Sequence, residues 1–198
     1  MTDVFYRWNL WAGVVKTLKA ISGGLSMEFI FETKYDQKAF STMARTLRKT
    51  VRRKRSRRSH VFGWIVVTLA LLLVFAGEGG FVLNMKSVLT LAVAATMILT
   101  LIWEDAINGY VALKRTLPGT DRSTCTFYED GYISVTDMGK TEWSYEKPMM
   151  IAESGNYFVF IFSNSHAQLY DKRAISGGTV EEFRAFIEEK TGKKLVEA

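Results

Sequence analysis

Adjacent carboxylates at Glu104 and Asp105 are the residues of this chain whose types and spacing come closest to acid–base chemistry. Two carboxyl groups that share a site can act as general acid and general base. Neighbouring residues on a helix, however, point about 100° apart, so these two side chains would not face one substrate. We therefore interpret the pair as the polar end of an apolar helix.

The remaining candidates for chemistry are His60, His166 and the single cysteine, Cys125. His60 adjoins a cluster of cations, and His166 lies in a predicted turn with no Cys, Asp or Glu at metal-ligand spacing. Cys125 stands in an alternating strand pattern without a neighbouring cation that would make it reactive. The sequence thus predicts no metal site, no cofactor and no enzymatic activity.

The strongest candidate for a functional segment is the stretch 45–58, in which nine of fourteen residues are Lys or Arg and none is acidic. We call it the basic segment. The rest of the chain has 17 basic and 20 acidic residues, so the net charge of +6 comes from this segment alone. Its cations are Arg45, Arg48, Lys49, Arg52, Arg53, Lys54, Arg55, Arg57 and Arg58.

Three interpretations of the basic segment are open. Lys and Arg beside an apolar run stay in the cytoplasm and so fix the orientation of a membrane protein. The same charges attract anionic lipid headgroups. Nucleic-acid binding is the third, and we do not expect it, because no aromatic residues are interleaved for base stacking.

Two apolar runs follow, Val61–Ala76 and Phe81–Trp103. Residues 59–77 would extend about 28 Å as a helix, close to the roughly 30 Å of a hydrocarbon core. The alternative is a helical hairpin buried in a soluble core. We favour a transmembrane hairpin over 59–103, turning at Gly77–Gly80, with both chain termini in the cytoplasm.

Cytoplasmic elements are predicted on both sides of the hairpin. Residues 27–58 comprise a strand over Met27–Tyr35, an N-cap at Asp36 and a basic helix. That helix runs either along the membrane surface or straight into the first span. Residues 104–122 continue the second span as a helix and linker that end at Pro118-Gly119.

Residues 123–198 change to short strand patterns separated by turns, followed by one amphipathic helix. Thr179 and Glu182 form a capping box for this helix, and Phe183, Phe186 and Ile187 form its inward apolar stripe. An antiparallel roll closed by a helix is the layout of a pleckstrin-homology-like (PH-like) domain. The fold class is therefore an α+β membrane protein with a two-helix hairpin and a cytoplasmic PH-like roll. The predicted strands are 124–128, 132–136, 141–145, 149–152, 157–162 and 167–170.

The order of these short motifs resembles the YcxB-like family of bacterial membrane proteins. The motifs are Phe127–Ile133 (FYEDGYI), Trp143, Tyr157-Phe158, Asp171–Ala174 (DKRA) and Glu181–Arg184 (EEFR). The resemblance extends over about 27–195 and implies a strand and helix, two spans and a PH-like domain. The family usually has proline where this chain has Asp171. What the resemblance implies is an architecture and a bacterial cytoplasmic membrane location, and no particular activity.

Two functional hypotheses follow. The first is a cytoplasmic PH-like domain that binds a protein partner, or a second copy of the chain, or scaffolds a membrane complex, with Trp143, Lys172 and Arg173 as candidate interaction residues. The alternative is an immunity or envelope-stress protein whose spans act against a membrane-active peptide. Residues 1–26 are either an amphipathic interfacial extension or the product of a misassigned start, with Met27 the first residue.

Overall fold

The computed structural model describes residues 28–76 and 82–198. The predictions for residues 1–26 and for the glycine turn lie outside the described residues. Five helices and nine strands are described: β1 (Phe29–Lys34), α1 (Gln37–Lys49), α2 (Arg53–Phe75), α3 (Met85–Ile102), α4 (Glu104–Arg115), β2 (Arg122–Phe127), β3 (Tyr132–Thr136), β4 (Gly139–Trp143), β5 (Met150–Ser154), β6 (Tyr157–Ile161), β7 (Ala167–Asp171), β8 (Ile175–Ser176), α5 (Val180–Thr191) and β9 (Val196–Glu197). A single 3₁₀ turn, Lys172–Ala174, joins β7 to β8.

The strands form two sheets, with orders β4-β3-β2-β1-β8 and β7-β6-β5-β9. All described pairs are antiparallel except the short β5–β9 pair. The α+β class with antiparallel sheets is confirmed. The strands predicted as one antiparallel roll form two sheets, and the chain passes from the first to the second between β4 and β5.

Strand β1 belongs to the same sheet as the strands that follow the apolar helices. It pairs with β2 along its full length, from Phe29 opposite Phe127 to Lys34 opposite Arg122. Helices α1–α4 are therefore an insertion between two adjacent strands of one sheet. We call the nine strands together with α5 the β domain.

An aromatic core fills the space between the two sheets and α5. The Phe183 ring lies at its centre, 4.6 Å from Phe31 and 4.9 Å from Phe127 in the first sheet, and 5.1 Å from Phe158 in the second. These rings are fully buried. Helix α5 thus joins the two sheets through one side chain, and its predicted inward stripe of Phe183, Phe186 and Ile187 is confirmed.

A second core lies on the outer face of the second sheet. Strand β6 (YFVFI) is buried at every position because it faces the aromatic core on one side and α1 on the other. Ala39 and Leu47 of α1 pack in this core with Val159 and Leu169. Helix α1 therefore covers the outer face of the second sheet of the β domain.

Helices α2 and α3 are each long and apolar enough to cross a membrane. They pack against each other, and the Leu101 side chain lies 3.0 Å from the position that a Cβ on Gly63 would take. Most of their large apolar side chains are exposed, with Leu73 81% and Leu89 64% exposed. Helix α2 begins at Arg53, ahead of its apolar run, so one continuous helix carries both charges and apolar residues.

The predicted caps are confirmed. Of the two alternatives for α1, the structure excludes a direct run into α2, and the predicted continuation of α3 into α4 is interrupted. Asp36 Oδ1 accepts from the Ala39 N–H at 2.8 Å, and the Thr179–Glu182 capping box is complete. Helix α1 ends at Lys49 and does not run into α2. Just after its end, the Arg52 N–H donates to Leu47 O. Trp103 likewise separates α3 from α4.

Candidate functional site

Helices α1 and α4 approach each other closely because Gly109 has no side chain. A Cβ at Gly109 would lie 2.3 Å from Ser41 Oγ and 2.6 Å from the Ser41 amide nitrogen. Gly109 is buried in this contact. The two helix backbones can therefore lie side by side, which brings the end of α1 to the start of α4.

The Arg48 guanidinium of α1 forms a two-pronged ion pair with Asp105 of α4. Arg48 Nε donates to Asp105 Oδ1 and Nη2 donates to Oδ2, both at 2.7 Å. Arg45 Nε lies 3.5 Å from the same carboxylate. Burial raises the pKa of Asp105, but the hydrogen bonds and charges of Arg48 and Arg45 outweigh it and hold that pKa below its usual value. Two cations of the basic segment thus share one ion-pair partner within the chain.

The neighbouring carboxylate, Glu104, contacts a different helix. His60 Nε2 of α2 lies 2.5 Å from Glu104 Oε2. Glu104 Oε2 also lies 4.0 Å from Arg48 Nε, so the two carboxylates share Arg48, although only Glu104 contacts His60. Their interpretation as merely the polar end of a span omitted this role, because ion pairs across 44 and 57 residues are not visible in local patterns.

The remaining cations of the basic segment divide into two groups. Arg52 Nε donates to the Asn164 carbonyl oxygen in the β6–β7 loop. The other six side chains are exposed and have no ion-pair partner among residues 28–76 and 82–198: Lys49, Arg53, Lys54, Arg55, Arg57 and Arg58. These six side chains are available to bind a negatively charged group outside the chain.

Lys172, a candidate interaction residue, is bound inside the β domain. Its Nζ donates to Glu153 Oε1 at 2.7 Å, and Arg184 Nη2 donates to the same oxygen at 3.0 Å. Glu153 on β5 therefore joins the turn after β7 to α5. This three-residue cluster was not predicted; it joins Lys172 of the DKRA motif to Arg184 of the EEFR motif through Glu153.

Glu153 makes the β domain sensitive to acid. Arg184 lowers the pKa of Glu153 by hydrogen bonding, burial opposes this, and Lys172 lowers it further, with a net pKa below its ordinary 4.5. A group whose pKa is depressed by folding stabilises the fold above its unfolded pKa and loses that effect as the pH falls through the folded pKa. We expect the melting temperature to fall steeply below about pH 5.

The matched test compares Glu153→Gln with Glu146→Gln, a substitution at an exposed carboxylate without an ion pair in the described part of the chain. Thermal unfolding in detergent, measured across pH, should show a flatter acid limb for Glu153→Gln only. An unchanged acid limb in Glu153→Gln would show that other carboxylates govern the transition.

Arg173 pairs locally with Asp171. Arg173 Nε and Nη2 donate to the two Asp171 oxygens at 2.9 and 2.6 Å, and Asp171 Oδ1 also accepts from the Arg173 N–H. The Asp171 N–H donates to Thr33 Oγ1 at 3.1 Å, a bond that proline could not make. Asp171 therefore contributes both its side chain and its backbone N–H to the turn after β7.

Trp143 lies at the end of β4 and is half-buried. Its ring is 4.8 Å from Phe162 and nearly parallel to Tyr132 at 6.4 Å. The indole Nε1 is buried and has no acceptor among the described residues. Trp143 and the Lys172 cluster have different neighbours, so the structure does not join the three candidate interaction residues into one site.

Strand β4 is the outer strand of the first sheet, with no described strand beyond it. Residues 139–142 are exposed, and Lys140 and Glu142 form a surface ion pair at 2.9 Å. Beside it, Met138 is 66% and Val135 46% exposed. This edge offers unpaired backbone groups with apolar side chains next to them, a surface that sequence patterns alone did not single out.

The described residues contain no group of three or more His, Cys, Asp or Glu side chains placed to hold a metal ion. Cys125 is fully buried, and burial raises the pKa of its thiol, so it is a packed residue and not an exposed thiolate.

One comparison with known proteins found a match, and it lies in the second half of the chain. Residues 127–187 match the family model described as YcxB-like protein. The match confirms the family resemblance over the segment from Phe127 to Ile187. The search of curated proteins and the search of solved structures found no match.

Proposed function

We propose that this protein is a two-span protein of the bacterial cytoplasmic membrane whose cytoplasmic, PH-like β domain binds a protein partner and so scaffolds a membrane complex. Helices α2 and α3 are the spans in this proposal, and both chain termini lie in the cytoplasm. The partner binds along the open edge of β4, and Trp143 lies at the end of that edge.

Membrane insertion is supported by the exposed apolar surface of α2 and α3. A soluble protein rarely leaves contiguous apolar patches of this extent in water. The unpaired cations of the basic segment precede this surface directly, which favours a cytoplasmic start for α2.

The PH-like assignment is supported by the layout of the β domain. Two antiparallel sheets enclose an aromatic core, and α5 closes it through Phe183. The match to the YcxB-like family model covers β3 to α5, the main part of this unit.

The observation that carries partner binding is the open β4 edge on a domain tied to the spans. An extended peptide can add to such an edge through main-chain hydrogen bonds. The Gly109–Ser41 contact and the Arg48–Asp105 pair join α1, which packs on the second sheet, to α4, the helix that follows α3.

Site-specific photocrosslinking of the full chain in native membranes tests the proposal. A photoreactive residue at Thr141 on β4 is compared with one at Leu73 on α2 and one at Glu189 on α5, all exposed positions. We expect Thr141 to capture one protein in stoichiometric amount, Leu73 to capture lipid, and Glu189 to capture neither.

Two results would contradict the proposal in different parts. A protein captured at Leu73 and none at Thr141 would favour the alternative, in which the spans protect against a membrane-active peptide. If Leu73 captured no lipid, the proposed membrane insertion of α2 would be contradicted.

A further inference from the structure

A groove with a volume of about 750 Å³ lies between the end of α1, the first two turns of α2 and β9. Lys49 of α1 and Glu197 of β9 are among its lining residues. Nothing in the proposed function uses this groove. Its position beside the apolar part of α2 raises the question of what it binds.

One face of α2 lines the groove. Arg53, Ser56, Arg57 and His60 recur at spacings of three and four residues, which places them on one side of a helix. The other cations at the start of α2, Lys54, Arg55 and Arg58, fall on the opposite side by the same rule. The basic segment therefore has a groove face and an outer face of similar charge.

The groove carries an excess of unpaired positive charge. Two of its lining residues are already partnered: Arg48 by Asp105 and His60 by Glu104. Lys49, Arg53 and Arg57 line it without an ion-pair partner in the described parts of the chain. The negative charges at the groove are the Glu197 carboxylate and, where Ala198 ends the chain, its α-carboxylate, so the three unpaired cations still outnumber them. Such a site selects an anion.

The position of the groove along α2, just before the apolar run, identifies the source of that anion. The uncharged run of α2 begins at Val61. Arg57 precedes it by about 6 Å along the helix axis and Arg53 by about 12 Å, at 1.5 Å per residue. If α2 spans the bilayer, both guanidinium groups lie in the layer of lipid headgroups.

We infer that this groove is a binding site for the phosphate of an anionic phospholipid, held by Lys49, Arg53 and Arg57. The inference rests on the proposed membrane insertion of α2. It differs from general attraction to a polybasic stretch, because it assigns retention of the lipid to three of the six unpaired cations. The other three contribute only diffuse charge.

The test compares two double variants of the full chain that remove the same charge from the same helix. Arg53→Gln/Arg57→Gln removes two of the three unpaired cations of the groove. Arg55→Gln/Arg58→Gln removes two cations of the outer face. Gln and Arg have similar helix propensity, so α2 is preserved. Each protein is extracted from phosphatidylcholine vesicles containing a minor fraction of phosphatidylglycerol, and the retained lipid is measured by native mass spectrometry.

We expect phosphatidylglycerol binding to weaken roughly 30-fold in the groove variant, the product of two cations that each contribute about 1 kcal/mol. The outer-face variant should retain the lipid nearly as the parent protein does. Glu197→Gln should increase retention, because it removes the acidic wall of the groove.

Equal losses in the two double variants would overturn the inference in favour of diffuse attraction, and so would no loss in either. Displacement of the lipid by millimolar inorganic phosphate would assign the groove to free phosphate and overturn the lipid source. A chain that does not enter the vesicles at all would instead refute the proposed spans, which separates the two failures.

Discussion

Replacing Phe183 with alanine is expected to lower the free energy of unfolding of the β domain by about 3–5 kcal/mol. The ring lies between rings of both sheets, so its removal opens a cavity that neither sheet can close alone. Hydrogen exchange of the strand amides in the reconstituted protein measures this loss, because those amides report the opening of the domain.

The same substitution at Phe62 is the matched control. Phe62 lies on α2 and is 68% exposed, so its truncation should leave strand exchange unchanged. Phe183→Leu keeps most of the volume and should cost less than about 1.5 kcal/mol. A loss below 1 kcal/mol for Phe183→Ala would mean that α5 does not hold the sheets together.

Local patterns were sufficient for most individual elements of this chain. The capping box at Thr179, the strands such as Tyr132–Thr136 and the apolar runs all depend on residues within a few positions of one another. Strand β6 was also predicted from its aromatic and β-branched content, although its burial on both faces was not.

The long-range arrangement was not predictable in this way. That β1 pairs with β2 across an insertion of some ninety residues depends on packing of Phe29 and Phe31 in a shared core, which no local period encodes. The same holds for the site: a run of cations gives no sign that Arg48 is used by Asp105 while Arg53 and Arg57 face a groove. Helical spacing could have separated the two faces of α2, but only a structure shows which face is lined by β9.

Replacing Gly109 with alanine is expected to destabilise the α1–α4 contact, although alanine is the better helix former by about 1 kcal/mol. The new Cβ would meet Ser41 Oγ at 2.3 Å and, more seriously, the Ser41 amide nitrogen at 2.6 Å and Cα at 2.8 Å. A backbone clash is relieved only by moving the helices apart, which would also stretch the Arg48–Asp105 pair. We expect a net loss of roughly 1–3 kcal/mol.

The measurement is hydrogen exchange of the α1 and α4 amides, with Asn108→Ala as the control. Asn108 is exposed on the same helix, so alanine there should be neutral or stabilising. Ser41→Gly combined with Gly109→Ala should restore only part of the protection, because it removes the Oγ contact and leaves both backbone contacts. Full restoration would place the whole effect in the Ser41 side chain. Faster exchange in α1 without any change in α2 would show that the β domain is held to the apolar helices through this glycine contact.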